Sequence, residues 1–262
     1  MQSQASASMK SQQLKGEDTR LVEDYMQMFE VVFADTPALR QEAFKLRYQV
    51  YCLETGFENK DDFKDGLEKD IYDDQSLSSL LVHKDSGKVA GTVRLILPDA
   101  NKEILPAFKL SEDLNSLSDQ FLPRATTAEI SRFSISKDFR RRASDTHMAN
   151  LGPGDNMQEN SMHRIIPHIT LGLMTAIVRM SLMQKLTHWT VVIEPTLQRL
   201  LRKLGIEFIP VGKIIEYHGR RRTLYNEIGA LLDRIYEERP EIWAVITDCG
   251  KLWPYKSSKF NE

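Results

Sequence analysis

The sequence predicts a single mixed α/β domain in which helices cover a central sheet. Three observations carry that prediction. Strand-like and helix-like patterns alternate along the chain, from FEVVFAD at 29–35 to a helical stretch at 229–238. The 262 residues are 41% hydrophobic and 27% charged, a composition able to bury one sizeable core. No internal repeat breaks the order.

FEVVFAD reads as the first strand. TPALRQEAFKLRYQVY (36–51) reads as a helix with Thr36 as N-cap and Pro37 at its first position, and Leu39, Ala43, Leu46 and Val50 give it one buried stripe. A polar, irregular stretch is expected from Cys52 to about Gln75. LSSLLVHK (77–84) and KVAGTVRLIL (88–97) form a hairpin about Asp85, Ser86 and Gly87, and a short helix follows near Ser111–Leu117. TAEISRFSIS (127–136) is the next strand. A long helix fits 163–186, and HWTVVIEP (188–195) is an apolar strand suited to a central position. TLQRLLRKLG (196–205) is a short helix closed by Gly205, and 208–228 supplies one or two further strands. The domain is expected to span 25–245, with residues 1–24 disordered, a mobile Gly/Pro-bearing insert at about 144–161, and 246–262 as a tail.

The net charge of −2 argues against general nucleic-acid binding. Cys52 and Cys249 lie far apart without metal-ligand spacing and read as free thiols. His163 and His168 miss the i, i+4 spacing of zinc pairs, so no metal is expected. The N-terminus lacks an apolar signal region, and IIPHITLGLMTAIV (165–178) is shorter than the ~20 residues of a membrane-spanning helix. A soluble, cytoplasmic protein with no transmembrane segment is expected.

Within this frame LEKDIYDD (67–74) crowds four carboxylates into eight positions. Arg47, Arg94 and Arg132 sit on core-forming elements, where arginine needs partners, and Glu68, Asp70 and Asp73 are the partners on offer. The expectation is that the acidic loop folds over the sheet and locks onto the three guanidiniums. A solvated acidic loop is the plainer alternative.

Arg47, Tyr51 and Phe57, then ExDxYD with Glu68, Asp70 and Asp73, then Arg94 in GTVRLIL, then Glu129, Ser131, Arg132 and Phe133 in EISRF, follow one another along the chain. In that order the residues resemble the pattern of the acyl-homoserine-lactone (autoinducer) synthases, on a GNAT-like fold. Phe57 stands where those synthases usually have tryptophan. The insert after EISRF, LRYQVYCLETGFE (46–58) and EYHGRRR (216–222) are more similar to the long-chain N-acyl amino acid synthases and, closest, to the acyltransferases of the exosortase (PEP-CTERM) system.

The resemblance implies transfer of a fatty acyl chain from a thioester to an amine. No permanently bound cofactor is needed; acyl-ACP or acyl-CoA is the donor substrate, and acyl carrier protein is the expected partner. An amino acid is the favoured acceptor, S-adenosylmethionine the runner-up, and a non-catalytic acyl- or carrier-binding module the rival from another class. Glu129 is the candidate base, or else pairs with Arg47 or Arg132 to hold the sheet. Ser131 is a candidate oxyanion donor beside backbone N–H groups freed by a bulged, splayed strand. Strict alternation puts Arg132 on the face opposite Glu129, so a bulge is needed to unite them. Tyr51 and Phe57 are candidate acceptor-pocket aromatics, and an arginine is expected to clamp an acceptor carboxylate. Phe133, Arg140, Arg141 and Arg142 are assigned to the donor, with Arg220–Arg222 extending that basic surface. The apolar residues of 165–178, together with Leu95, Ile96 and Phe133, are candidates for an acyl tunnel, with a place in the core the plainer reading for any one of them.

Overall fold

A computed structural model describes residues 16–140, 165–217 and 219–254. Seven strands form one sheet: β1 (Phe29–Phe33), β2 (Ser76–His83), β3 (Val89–Ile96), β4 (Thr127–Ile135), β5 (His188–Ile193), β6 (Ile209–Glu216) and β7 (Arg220–Glu227). Their spatial order is β1-β2-β3-β4-β5-β7-β6. Every neighbouring pair is antiparallel except β4 and β5, which run parallel.

The sheet separates two layers. On one face lies α5 (Ile165–Met183), packed across β1, β2 and β3. It meets membrane-span criteria by length and apolarity, yet 72% of that window is buried within the fold. Gly172 allows the close approach, since a Cβ there would sit 2.6 Å from Leu81 Cδ1. Val93 and Leu95 point into this core. On the other face α2 (Pro37–Arg47) packs against β3, and apolar residues of α3 (Pro106–Leu110) and α4 (Glu112–Asn115) join a smaller cluster around Ile96. The functional geometry is on this second face.

Three boundaries differ from the sequence reading. The segment expected to be disordered through residue 24 is helical from residue 16, as α1 (Gly16–Met28), because Val22 and Tyr25 share a face that packs into the core. The chain expected as a tail from 246 continues α8 (Pro240–Ile246) through a buried Thr247 to Leu252 and Trp253, which pack on the core. The irregular stretch expected from Cys52 begins later, because α2 widens into a π-helical segment over Tyr48–Glu54. Residues 208–228 make two strands. Thr36 caps α2 as expected, accepting from Leu39 N–H at 3.3 Å. Gly205, at φ +77°, follows α6 (Pro195–Lys203), and α7 (Ile228–Glu238) covers the last strands. The insert at 144–161 lies outside the described residues.

Candidate active site

The three arginines and the acidic loop do meet. Arg47 donates from Nε to Glu68 Oε2 at 2.5 Å and grips Asp73 bidentately at 2.6 and 3.0 Å. Arg94 grips Asp70 bidentately at 2.6 and 2.9 Å and reaches Asp73 at 3.0 Å. Arg132 donates to Glu68 at 2.8 Å and to Asp70 at 3.0 Å, with Glu58 at 3.4 Å. Arg47, Arg94 and Glu68 are almost fully buried, so unpaired charge there would be very costly and the mutual pairing is what permits it. Burial alone would raise Asp73, yet the hydrogen bonds and charge of Arg47, with Arg94 behind, hold its pKa at about 2. The same arginine contacts outweigh burial at Glu68 and Asp70 and lower both.

A bulge brings Arg132 into this lattice. Arg94 pairs with Ser131 and Thr92 with Ser134, so Arg132 and Phe133 together oppose Val93. Arg132 takes φ +51°, a left-handed conformation that costs a non-glycine residue of order 1–3 kcal/mol. The extra residue turns the guanidinium toward Glu68 and over the Tyr51 ring at 5.0 Å.

Glu129 sits two residues before Ser131 on the same face, 4% exposed. It pairs with neither Arg47 nor Arg132. Its Oε2 accepts the Ala107 N–H at 2.7 Å at the start of α3. Burial, only partly opposed by that hydrogen bond and by the charges of Arg94 and Arg132, pushes its pKa up to about 7. Ser131 Oγ accepts from Arg94 Nε at 3.0 Å, which leaves its own proton for donation.

β4 and β5 pair only from Thr127↔His188 to Ile130↔Val191, although both strands continue beyond. A cavity of about 450 Å³ opens at the divergence. The Ser136 N–H donates to Ala90 and Ser134 lies opposite Thr92, so alternation turns the Ile135 N–H toward the gap. One end of the cavity is polar, lined by Glu58, Asp70, Tyr72, Glu129, Ser131 and Arg132; Tyr51 and Phe57 border it. The other end is apolar, lined by Ile135, Met174, Leu197, Leu200, Leu201 and Phe208.

Among the sequence candidates, Arg94, Phe133 and Arg140 also line the cavity, whereas Arg47, Glu68 and Asp73 stand behind it. Arg140 is ion-paired with Glu54; Arg141 and Arg142 lie outside the described residues. Most of the tunnel candidates take the plainer place in the core. Leu95 faces the α5 core and Ile96 the small cluster, and of 165–178 only Met174 reaches the cavity. The apolar end is built instead by α6, whose Leu197, Leu200 and Leu201 share one face. That spacing was visible in the sequence as an amphipathic helix without indicating what it covers. Glu58, Tyr72, Tyr217 and Arg221 also line the cavity; each lies in a stretch that carries the resemblance, but among them only Arg221, in its basic run, was given a place in the site.

Residues 46–150 match the family model described as the acetyltransferase (GNAT) domain. Three solved structures share the fold. The AHL synthase LasI superposes with a TM-score of 0.51 at 20% identity, over 76% of this chain and 89% of that one. BjaI, a CoA-dependent acyl-homoserine lactone synthase, gives 0.52 at 19% identity, over 85% and 89%. FeeM, an N-acyl amino acid synthase from uncultured soil microbes, gives 0.52 at 15% identity, over 79% and 94%. No curated protein compared with the chain matches it.

Proposed function

We propose, from the match of residues 46–150 to the acetyltransferase (GNAT) domain and from the site's geometry, an N-acyltransferase that moves a fatty acyl chain from acyl carrier protein or coenzyme A to the amine of an amino acid. The carrying observation is Glu129, a buried carboxylate outside any ion pair, poised at about 7 on the wall of a cavity polar at one end and apolar at the other. The acceptor nitrogen sheds a proton as it forms the new bond, and a carboxylate that titrates near neutral pH is placed to take it.

In this reading the acyl chain lies along α6 and Phe208, with the thioester carbonyl at the divergence of β4 and β5. The acceptor nitrogen attacks the carbonyl carbon and passes its proton to Glu129. Ser131 Oγ–H and β4 backbone N–H groups receive the oxyanion. As the C–S bond breaks, the protonated Glu129 returns the proton to the departing thiolate. Tyr51 and Phe57 border the acceptor, and the buried lattice fixes the loop that walls it. Arg140, with Arg141 and Arg142, serves the donor's phosphate or an acidic carrier protein. A cytoplasmic location and a role beside an exosortase system belong to the same proposal, supported by the sequence resemblance.

The second reading, acyl-homoserine-lactone synthesis from S-adenosylmethionine, is favoured by the fold shared with LasI and BjaI. Mass spectrometry of small molecules from cells expressing the intact protein or Glu129→Gln separates the cases. New N-acyl amino acids only with the intact protein are expected. Acyl-homoserine lactones would replace the first reading with the second. No new amide in either extract would favour the non-catalytic acyl- or carrier-binding module.

A further inference from the structure

The apolar end of the cavity is closed by a partition. Ile193, Leu201 and Phe208 line the main cavity of about 450 Å³ and also a separate void of about 10 Å³ behind it. The small void has room for about one water and none for an alkyl chain. Its far side is polar, where Arg202 and Glu207, each more than half exposed, approach to 3.7 Å.

The partition stands across the sheet from the reactive carboxylate. Glu129 turns to Ala107 of α3 on one face, whereas Ile193, Leu201, Phe208 and Met174 belong to the core on the α5 face. An acyl chain whose thioester lies where β4 and β5 part therefore runs through the sheet and ends against this wall.

Ile193 ends β5 and Leu201 sits within α6, so the wall keeps their backbones whatever side chains they carry. Phe208 stands one residue before β6 and brings the largest side chain of the three. It is buried and packs on Trp189 with ring centroids 6.3 Å apart. Trp189 is itself fully buried and donates from Nε1 to Ser181 Oγ at 2.8 Å. The carbonyl of Glu207 accepts from Asn226 Nδ2 at 2.6 Å and from Arg234 Nη2 at 2.9 Å, which fixes the backbone leading to the ring. A ring backed by close packing yields little to a chain that presses on it.

We propose that Phe208 sets the upper limit of acyl-chain length, as the removable part of the wall between the cavity and the void behind it. This deepens the fatty-acyl reading above and rests on it. The donor class becomes an acyl chain of bounded length. The polar rim at Arg202 and Glu207 makes any gain from removing the ring a short one.

The test measures, by calorimetry, the binding of non-transferable thioethers of coenzyme A and of carrier protein bearing saturated C4 to C18 chains. It needs no acceptor. Wild-type affinity is expected to rise about fourfold per methylene up to one length and to level or fall beyond it. Phe208→Ala is expected to move that break about two to four carbons longer, and Phe208→Leu by less, with shorter chains bound within about threefold of wild type. Leu197→Ala, which trims the cavity wall but not the partition, is expected to leave the break in place. Every chain is measured on one preparation, so partial misfolding cannot move the break. A break unmoved in both Phe208 variants, no break up to C18 in the wild type, or an equal shift in Leu197→Ala overturns the assignment. Affinity that does not rise with chain length sinks the acyl reading itself and this assignment with it, a pattern distinct from a rising series whose break stays put.

Discussion

Two sets of buried or half-buried carboxylates occupy one face of the sheet and titrate in opposite directions. Glu68, Asp70 and Asp73 each meet two arginines and are held below the usual range, whereas Glu129 meets one backbone N–H and rises to about 7. Burial pushes all four upward; counter-charge decides the outcome. The saturated lattice can hold geometry but has no chemistry near neutral pH. Glu129, left outside the lattice, can exchange a proton there. The bulge at Arg132 keeps the two sets apart, since it directs that guanidinium to Glu68 and Asp70 and not to Glu129.

The largest expected effect tests the reactive side of this contrast. Glu129→Gln keeps an acceptor for the Ala107 N–H but loses the base, so turnover should fall about 10²- to 10⁴-fold with the fold intact. The rising limb of kcat/KM near pH 7 should vanish with it. A variant that turns over at the wild-type rate would move Glu129 out of the chemistry.

The lattice side predicts the reverse pairing of effects. Asp70→Asn removes the charge that Arg94 grips bidentately and Arg132 shares, and should cost about 3 kcal/mol in chemical denaturation. Activity should fall in step with folding. Wild-type melting and turnover together would show that the acidic loop does not anchor the site.

The two sets also differ in the pH at which they affect stability. Asp73, held near 2, contributes stability that is fully present above its ordinary 3.8 and lost as pH falls toward 2. Glu129 has the opposite sign. Between 4.5 and about 7 the folded protein keeps a proton that the unfolded chain releases, so stability falls as pH rises through that window. The full rise is worth about 3 kcal/mol. Glu129→Gln should therefore be more stable than wild type at pH 8 by up to that amount, and little different at pH 4.5. Denaturation midpoints at the two pH values check it; equal differences at both would deny Glu129 its raised pKa.

How far the sequence revealed this site follows from the range of each interaction. The lattice was legible because guanidiniums on core elements demand partners, and one loop supplied three carboxylates. The need for a bulge was legible from alternation, since Glu129 and Arg132 are three apart on a strand. Its left-handed backbone was not, because no glycine marks it. Which apolar residues line the tunnel was not legible, because apolar runs look alike whether they face the core or a cavity. Met174 and Leu95 differ only in where neighbouring strands part, and that depends on pairing between segments about sixty residues apart. Arg221 was seen within a basic run, but not its place over Phe57, which only the hairpin's closure sets.

The smallest effect probes the boundary between the two regions, where Ser131 joins Arg94 to the cavity. If the hydroxyl serves the oxyanion while accepting from Arg94, Ser131→Ala should lower kcat about tenfold and leave the KM values steady. Loss of the acceptor for a buried Arg94 Nε should also cost about 1–2 kcal/mol. A role confined to holding Arg94 would give the stability loss with kcat unchanged, and the oxyanion would then rest on the β4 backbone alone. Since Arg94 remains gripped by Asp70 in either case, a fall in kcat cannot be assigned to collapse of the lattice.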